Sequence, residues 1–172
     1  GVDTLYVTGE AERQLARYYE LHLPMILADT RVPVAERSRA VLQVAENLAR
    51  DIINTPDGRV ARRAVRLVQE LATFVSDAPN ALARLMQMLG DGSTLEEHSA
   101  NTAILALVLS GSHRDATVDS LGEVAAAALM HDVGLSVVGS QILQKPGPLD
   151  ANERVLVEQH PVIGEQMLRQ VG

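Results

Sequence analysis

The sequence contains no cysteine and no tryptophan, and its aromatic residues are three tyrosines and one phenylalanine. Without cysteine there is no disulfide framework and no thiolate metal site. Any metal must then be held by imidazole and carboxylate, a donor set that suits iron or manganese better than a structural zinc. The aromatics are Tyr6, Tyr18, Tyr19 and Phe74, so no tyrosine or phenylalanine after residue 74 is there to stack on a base. No run of about 18 apolar residues exists to cross a membrane. No basic stretch followed by an apolar run and a small-residue cleavage site opens the chain. A cytoplasmic protein that engages no membrane is the expectation. Positive charge is short as well, with 15 Lys and Arg against 22 Asp and Glu for a net charge of -7. That argues against a nucleic-acid duplex as the main partner, because phosphate binding needs a concentrated basic surface.

What is present is apolar surface in helical register. Hydrophobic residues make up 47% of 172, enough for a sizeable core. Val2 to Val7 alternate weakly and could form a short extended arm. Glu10 to Leu27 reads as helix, bent or interrupted at Pro24. From Pro33, placed as a first helical residue, Val34, Ser38, Val41, Ala45, Leu48 and Ile52 keep 3,4 spacing. The turn Asn54-Thr55-Pro56-Asp57-Gly58 follows, and Val60, Ala64, Leu67, Leu71 and Phe74 resume the spacing. Two such helices around a tight turn predict an antiparallel hairpin. Its stripes are expected to pack mainly on each other and on the 10–27 helix, with some surface left for a second chain. Arg62, Arg63 and Arg66 read as a solvated face.

Asp77 before Ala78-Pro79 looks like a further helix start, and Gly90-Asp91-Gly92 closes that helix after Met88. Three capping boxes then stand out. Thr94 with Glu97 opens an apolar helix over Leu95 to Leu109, Ser120 with Glu123 opens one ending at His131, and Asp150 with Glu153 opens one before His160. Every element after residue 8 is helical or connecting, so the fold class is all-α, a helical bundle. The last residues, Leu168 to Gly172, close a helical stretch with no obvious terminus and the first residue is not Met, so the chain is expected to be a fragment.

Val124 to Met130 has no polar face, so that helix should be surrounded by others. It delivers His131 and Asp132 to its end, where a carboxylate is costly unless paired or metal-bound. His98 lies 33 residues before His131 and His160 lies 29 after it, each beside a capped helix. His22 and His113 sit near Pro24 and in a Gly-Ser-His-Arg turn, where packing or surface roles are expected.

Four strings share one order: Glu97-His98-Ser99-Ala100-Asn101, Ala128-Leu129-Met130-His131-Asp132-Val133-Gly134, Ile142-Leu143-Gln144-Lys145-Pro146-Gly147-Pro148-Leu149, and His160-Pro161 with Gly164. Together they resemble the HD-GYP family of HD-type metal-dependent phosphohydrolases. The resemblance runs from about residue 93 to the end, and Gly1 to Met88 resembles the helical region that often precedes such a domain. The division expected is 1–77 as an N-terminal helical region and 78–172 as an HD-GYP-like domain truncated at its C-terminal side.

The resemblance implies that His98, His131, Asp132 and His160 are first-half ligands of a cluster of two divalent ions, iron or manganese. Asp132 bridges the ions and counts as the catalytic residue, and cyclic di-GMP or a related nucleotide is the substrate in bacterial second-messenger signalling. Three departures bear on activity. Leu135 stands where the family has a phosphate-binding lysine, and a neutral branched side chain cannot replace a point charge. Thr94 stands where members with a third metal have glutamate. The family's paired histidines, later aspartate and GYP loop should lie beyond Gly172. Two readings stay open beside the phosphodiesterase. One is a catalytically inactive HD-like module that binds a nucleotide or protein and signals through the N-terminal helices, which leave surface for a homodimer. The other is an HD phosphohydrolase acting on other nucleotides.

Overall fold

The computed structural model describes residues 9–55, 57–78, 80–111, 115 and 117–171. The arm expected over Val2 to Val7 and the turn histidine His113 lie outside them. The described residues are helical or connecting, with no strand among them. In chain order the helices are α1 (Gly9–Ala28), α2 (Val34–Asn54), α3 (Gly58–Asp77), α4 (Ala81–Met88), α5 (Leu95–Gly111) and α6 (Val118–Met130). A 3-10 turn at Val133–Val137 and the short helices α7 (Ser140–Leu143), α8 (Ala151–Glu158) and α9 (His160–Val171) complete the chain. Among the described residues no helix is long and apolar enough to cross a membrane.

The central element is α2. Its predicted stripe of Ser38, Val41, Ala45, Leu48 and Ile52 is buried, and so are Ala40, Leu42, Val44 and Ala49 around the cylinder. It needs burial on several sides because it touches α1, α3, α4 and α5. The α3 stripe of Val60, Ala64, Leu67, Leu71 and Phe74 is also buried, joined by Val68 and Ala72. The side chain of Asp57 accepts from the backbone N–H groups of Arg59 and Val60 and caps this helix. The hairpin is real, but its stripes are not spent mainly on each other. The α3 face packs chiefly on α6, and α2 packs chiefly on α5. A single apolar core therefore runs from Leu23 on α1 to Val133. The two halves of the sequence supply facing walls of it, because each amphipathic stripe is wider than one neighbour can cover.

Local details depart from expectation at several helix ends. The first helix runs unbroken through Pro24; a proline costs one intrahelical bond, and Leu23 and Leu27, both buried beside it, hold the helix in place. Pro33 is the cap rather than the first helical residue. After Ala78 the chain turns through Asn80 at φ 76° before α4 begins, a left-handed conformation that asparagine tolerates. The box that opens α6 is Thr117 with Ser120, three residues ahead of the expected one. At α5 only half of the box forms: Thr94 Oγ1 accepts from Glu97 N, while the Glu97 carboxylate takes the hydroxyl of Ser93. The Asp150 and Glu153 box forms as expected.

Helix α6 lies between α3 and α5 and buries Gly122, Ala125, Ala126 and Leu129, yet Val124 and Ala127 face outward. A strip of small apolar residues can face water at little cost, so the helix is flanked and not enclosed. Arg62 and Arg66 are exposed, whereas Arg63 is clamped by Glu20 at 2.6 Å and Asp51 at 2.9 Å and ties α3 to α1 and α2. Arg37 is buried, donates to the Leu27 carbonyl and lies 5.3 Å from the Phe74 ring centroid, which fastens the end of α1 to the core.

Candidate metal centre

Three parts of the fold meet at one carboxylate. His98 stands on the first turns of α5. His131 caps the C-terminal end of α6, and Asp132 follows it as the residue that precedes the 3-10 turn. His160 opens α9, because the chain breaks helix after Glu158 rather than carrying one helix up to it. All four sequence-predicted residues converge. Nε2 of His98 lies 3.4 Å and Nε2 of His131 3.1 Å from Asp132 Oδ2, while Nε2 of His160 lies 3.3 Å from Oδ1. The Nε2 atoms of His98 and His131 are 3.4 Å apart. The Asp132 side chain is only 12% exposed and that of His98 48%, so the cluster is a shallow site open on the His98 side.

The tautomers follow from the backbone. Nδ1 of His131 is 2.8 Å from the Ala128 carbonyl, and Nδ1 of His160 is 2.6 Å from the Val157 carbonyl. A carbonyl accepts only, so each Nδ1 carries a proton, and in the neutral ring each Nε2 presents a lone pair. In that form two lone pairs point at a carboxylate, three acceptors with nothing between them. That arrangement is repulsive unless a proton or a cation sits there.

The spacing fits a cation. Donors about 2.1 Å from one ion and about 90–110° apart lie about 3.0–3.4 Å from each other, which is the range observed. His98, His131 and Asp132 offer ligand atoms that all lie within 4.8 Å of one another. Holding the far ring nitrogen by a carbonyl is also how ligating histidines are ordinarily oriented. The two Asp132 oxygens turn to different partners, Oδ2 to His98 and His131 and Oδ1 to His160, as a bridging carboxylate would.

Sequence reasoning missed how the third part is brought in. A Cβ built on Gly134 would stand 2.0 Å from the His160 carbonyl oxygen and 2.7 Å from Gly164 N. The 3-10 turn and α9 thus touch backbone to backbone. The signal was visible, since both glycines lie in the quoted strings, but spacing alone did not reveal that they meet. Leu135 is buried, 8% exposed, so it serves packing and presents no group to the site. Lys145 pairs with Glu153 at 2.5 Å, and Glu153 also accepts from Asp150 N. The Lys-Pro-Gly stretch therefore braces the start of α8.

Residues 95–172 match the HD domain. The matched stretch opens at α5 and contains all four clustered residues. A cyclic di-GMP phosphodiesterase of Pseudomonas aeruginosa is 36% identical over 103 residues, which is 59% of this chain and 24% of that relative. The chain thus spans about a quarter of the length of that relative. No solved structure matches the chain significantly.

Proposed function

We propose that this chain carries part of an HD-GYP-type metal-dependent phosphohydrolase whose substrate is cyclic di-GMP or a closely related nucleotide. The observation that carries the reading is the set of three imidazole Nε2 atoms 3.1–3.4 Å from the two oxygens of Asp132. The matched HD segment and the similarity to a cyclic di-GMP phosphodiesterase support it.

In this reading His98, His131, His160 and Asp132 hold divalent metal, iron or manganese by the hardness of the donors, with Asp132 as the bridge. Bound divalent ions would supply an activated water and charge neutralisation for the phosphate. The carbonyls of Ala128 and Val157 keep the imidazoles oriented, with Nε2 turned to Asp132. The core helices α5 and α6 keep His98 and His131 at fixed separation, which is the preorganisation that such chemistry requires. Four donors do not fill two six-coordinate ions, so further ligands or waters must complete the centre. A cytoplasmic setting belongs to the same reading, since a nucleotide messenger is its substrate.

The competing reading, a catalytically inactive HD-like regulatory module, is favoured by one observation: the place of a phosphate-binding lysine is taken by buried Leu135. The two separate by measurement. Metal content and release of linear dinucleotide or GMP are followed for the chain and for a longer protein containing it, with His131→Ala as control. Metal bound and lost in the control, with turnover in the longer protein, supports the enzyme; stoichiometric nucleotide binding without turnover in either supports the module. A homodimer through the N-terminal helices would use the outer face of α1, where Leu15, Tyr18, Leu21 and Met25 are exposed, because the hairpin stripes are used within the chain. Light scattering at high concentration, with Leu21→Glu as control, tests it.

A further inference from the structure

His98, His131 and Asp132 are fixed by the central core, but His160 is not. It arrives on α9, and the helices before it, α7 and α8, bury no residue. Among the residues of α9 whose burial is described only Gly164 is buried, with His160, Ile163, Met167 and Leu168 half-buried. Its main partner is the 3-10 turn, with α3 second. Apolar anchoring of α9 is therefore light, and something else must register His160 on Asp132 to a few tenths of an ångström.

We propose that Gly134 is a positioning residue of the metal centre. Its missing side chain lets the turn that follows Asp132 lie directly on the first turn of α9, and that contact sets His160 against Asp132. The proposal rests on the metal-site reading given above. The geometry is specific. A Cβ at position 134 would meet the His160 carbonyl oxygen at 2.0 Å, the His160 carbonyl carbon at 2.8 Å and Gly164 N at 2.7 Å, all backbone atoms that no rotamer change can move. The backbone of Gly134 does not have a positive φ, so space and not conformation is what requires glycine there. A single methyl group would force the two segments apart by about 1 Å, well beyond the roughly 0.2 Å tolerance of a metal–ligand bond. Position 164 is the milder side of the same contact, since a Cβ there meets Gly134 N and Val133 Cγ1 at 3.3 Å.

The test is a double-mutant cycle read by Mn²⁺ affinity, using the whole chain. Gly134→Ala is expected to weaken Mn²⁺ binding about 10- to 100-fold, the range seen when residues that orient a ligand are lost. His160→Ala should weaken it to a similar degree, and the double variant should be no worse than the worse single one, because both act through one imidazole. Effects that add in the double variant overturn the proposal. Gly164→Ala should show a smaller loss, also non-additive with His160→Ala, and it carries the test if Gly134→Ala does not fold. A second readout needs no metal. The ring signals of His160, followed by NMR, should respond to Asp132→Asn in the parent and fail to respond in a Gly134→Ala or Gly164→Ala background; an undiminished response refutes the positioning role. A parent chain that binds no Mn²⁺ but shows this ring coupling would sink the metal reading and leave the positioning role standing.

Discussion

Adding Mn²⁺ to the chain should raise its unfolding temperature, and Asp132→Asn should abolish the effect without lowering the stability of the metal-free protein. The folded state sets three Nε2 atoms and two carboxylate oxygens at 3.1–3.4 Å, whereas the unfolded chain holds no such cluster. Binding to the folded state alone stabilises by about 2.7 kcal/mol at a metal concentration one hundred times the dissociation constant. For a chain of this size each kcal/mol moves the midpoint by about 2–4 °C, so the expected rise is about 5–11 °C. The second half of the prediction comes from the tautomers. With Nδ1 of His131 and His160 donating to carbonyls, the metal-free site in its neutral-ring form sets lone pairs against a carboxylate. An asparagine amide can donate to one of those nitrogens, so Asp132→Asn should leave the metal-free midpoint unchanged or raise it. The assay is thermal unfolding at pH about 8, where histidines are ordinarily uncharged, with and without Mn²⁺. A metal-free Asp132→Asn protein that unfolds several degrees lower, or a metal-induced rise that persists in it, would refute the reasoning.

The chain by itself is expected to release no linear dinucleotide or GMP from cyclic di-GMP above background when loaded with iron or manganese. Leu135→Lys should not restore turnover and should lower the unfolding temperature, because position 135 is buried and a buried ammonium is costly. The carboxyls of Asp57 and Asp150 are held below the usual range, first by backbone N–H bonds from Val60 and Glu153 respectively, and that of Asp29 falls to about 2 through its bond with Arg31. Such depressed groups stabilise the fold fully above the ordinary carboxylate value near 4 and lose that contribution as pH falls through their folded values. The urea midpoint should therefore drop between about pH 4 and pH 2, and Asp57→Asn should flatten the drop. Arg63→Ala, which breaks the clamp to Glu20 and Asp51, should cost about 1 kcal/mol after allowance for its partial exposure. Arg63→Lys should recover only part of that in the same denaturation assay, since a point charge cannot fork across two carboxylates.

Much of the fold was legible in the residues. The 3,4 stripes of α2 and α3 are the buried faces, since helical periodicity is a local property of the chain and survives in the folded state. The Asp150 box caps α8 as read, for the same local reason. Residue types and order also singled out His98, His131, Asp132 and His160. What the stripes pack against could not be read from them. An amphipathic face states that it must be covered, not by which neighbour, and α3 is covered by α6 some fifty residues away in the chain. Pro24 shows a local rule overruled, since α1 runs through it, whereas at α6 another local box, Thr117 with Ser120, took the place of the one expected. The distances at the site belong to the same category. That His131 and His160 turn their Nε2 lone pairs onto opposite oxygens of Asp132 depends on the carbonyls of Ala128 and Val157 and on the backbone contact between Gly134 and α9. Sequence determined which donors are present and on which helices. The tertiary structure alone decided that they share one carboxylate, because ligand geometry is set to tenths of an ångström by packing between segments that sequence spacing leaves free to turn.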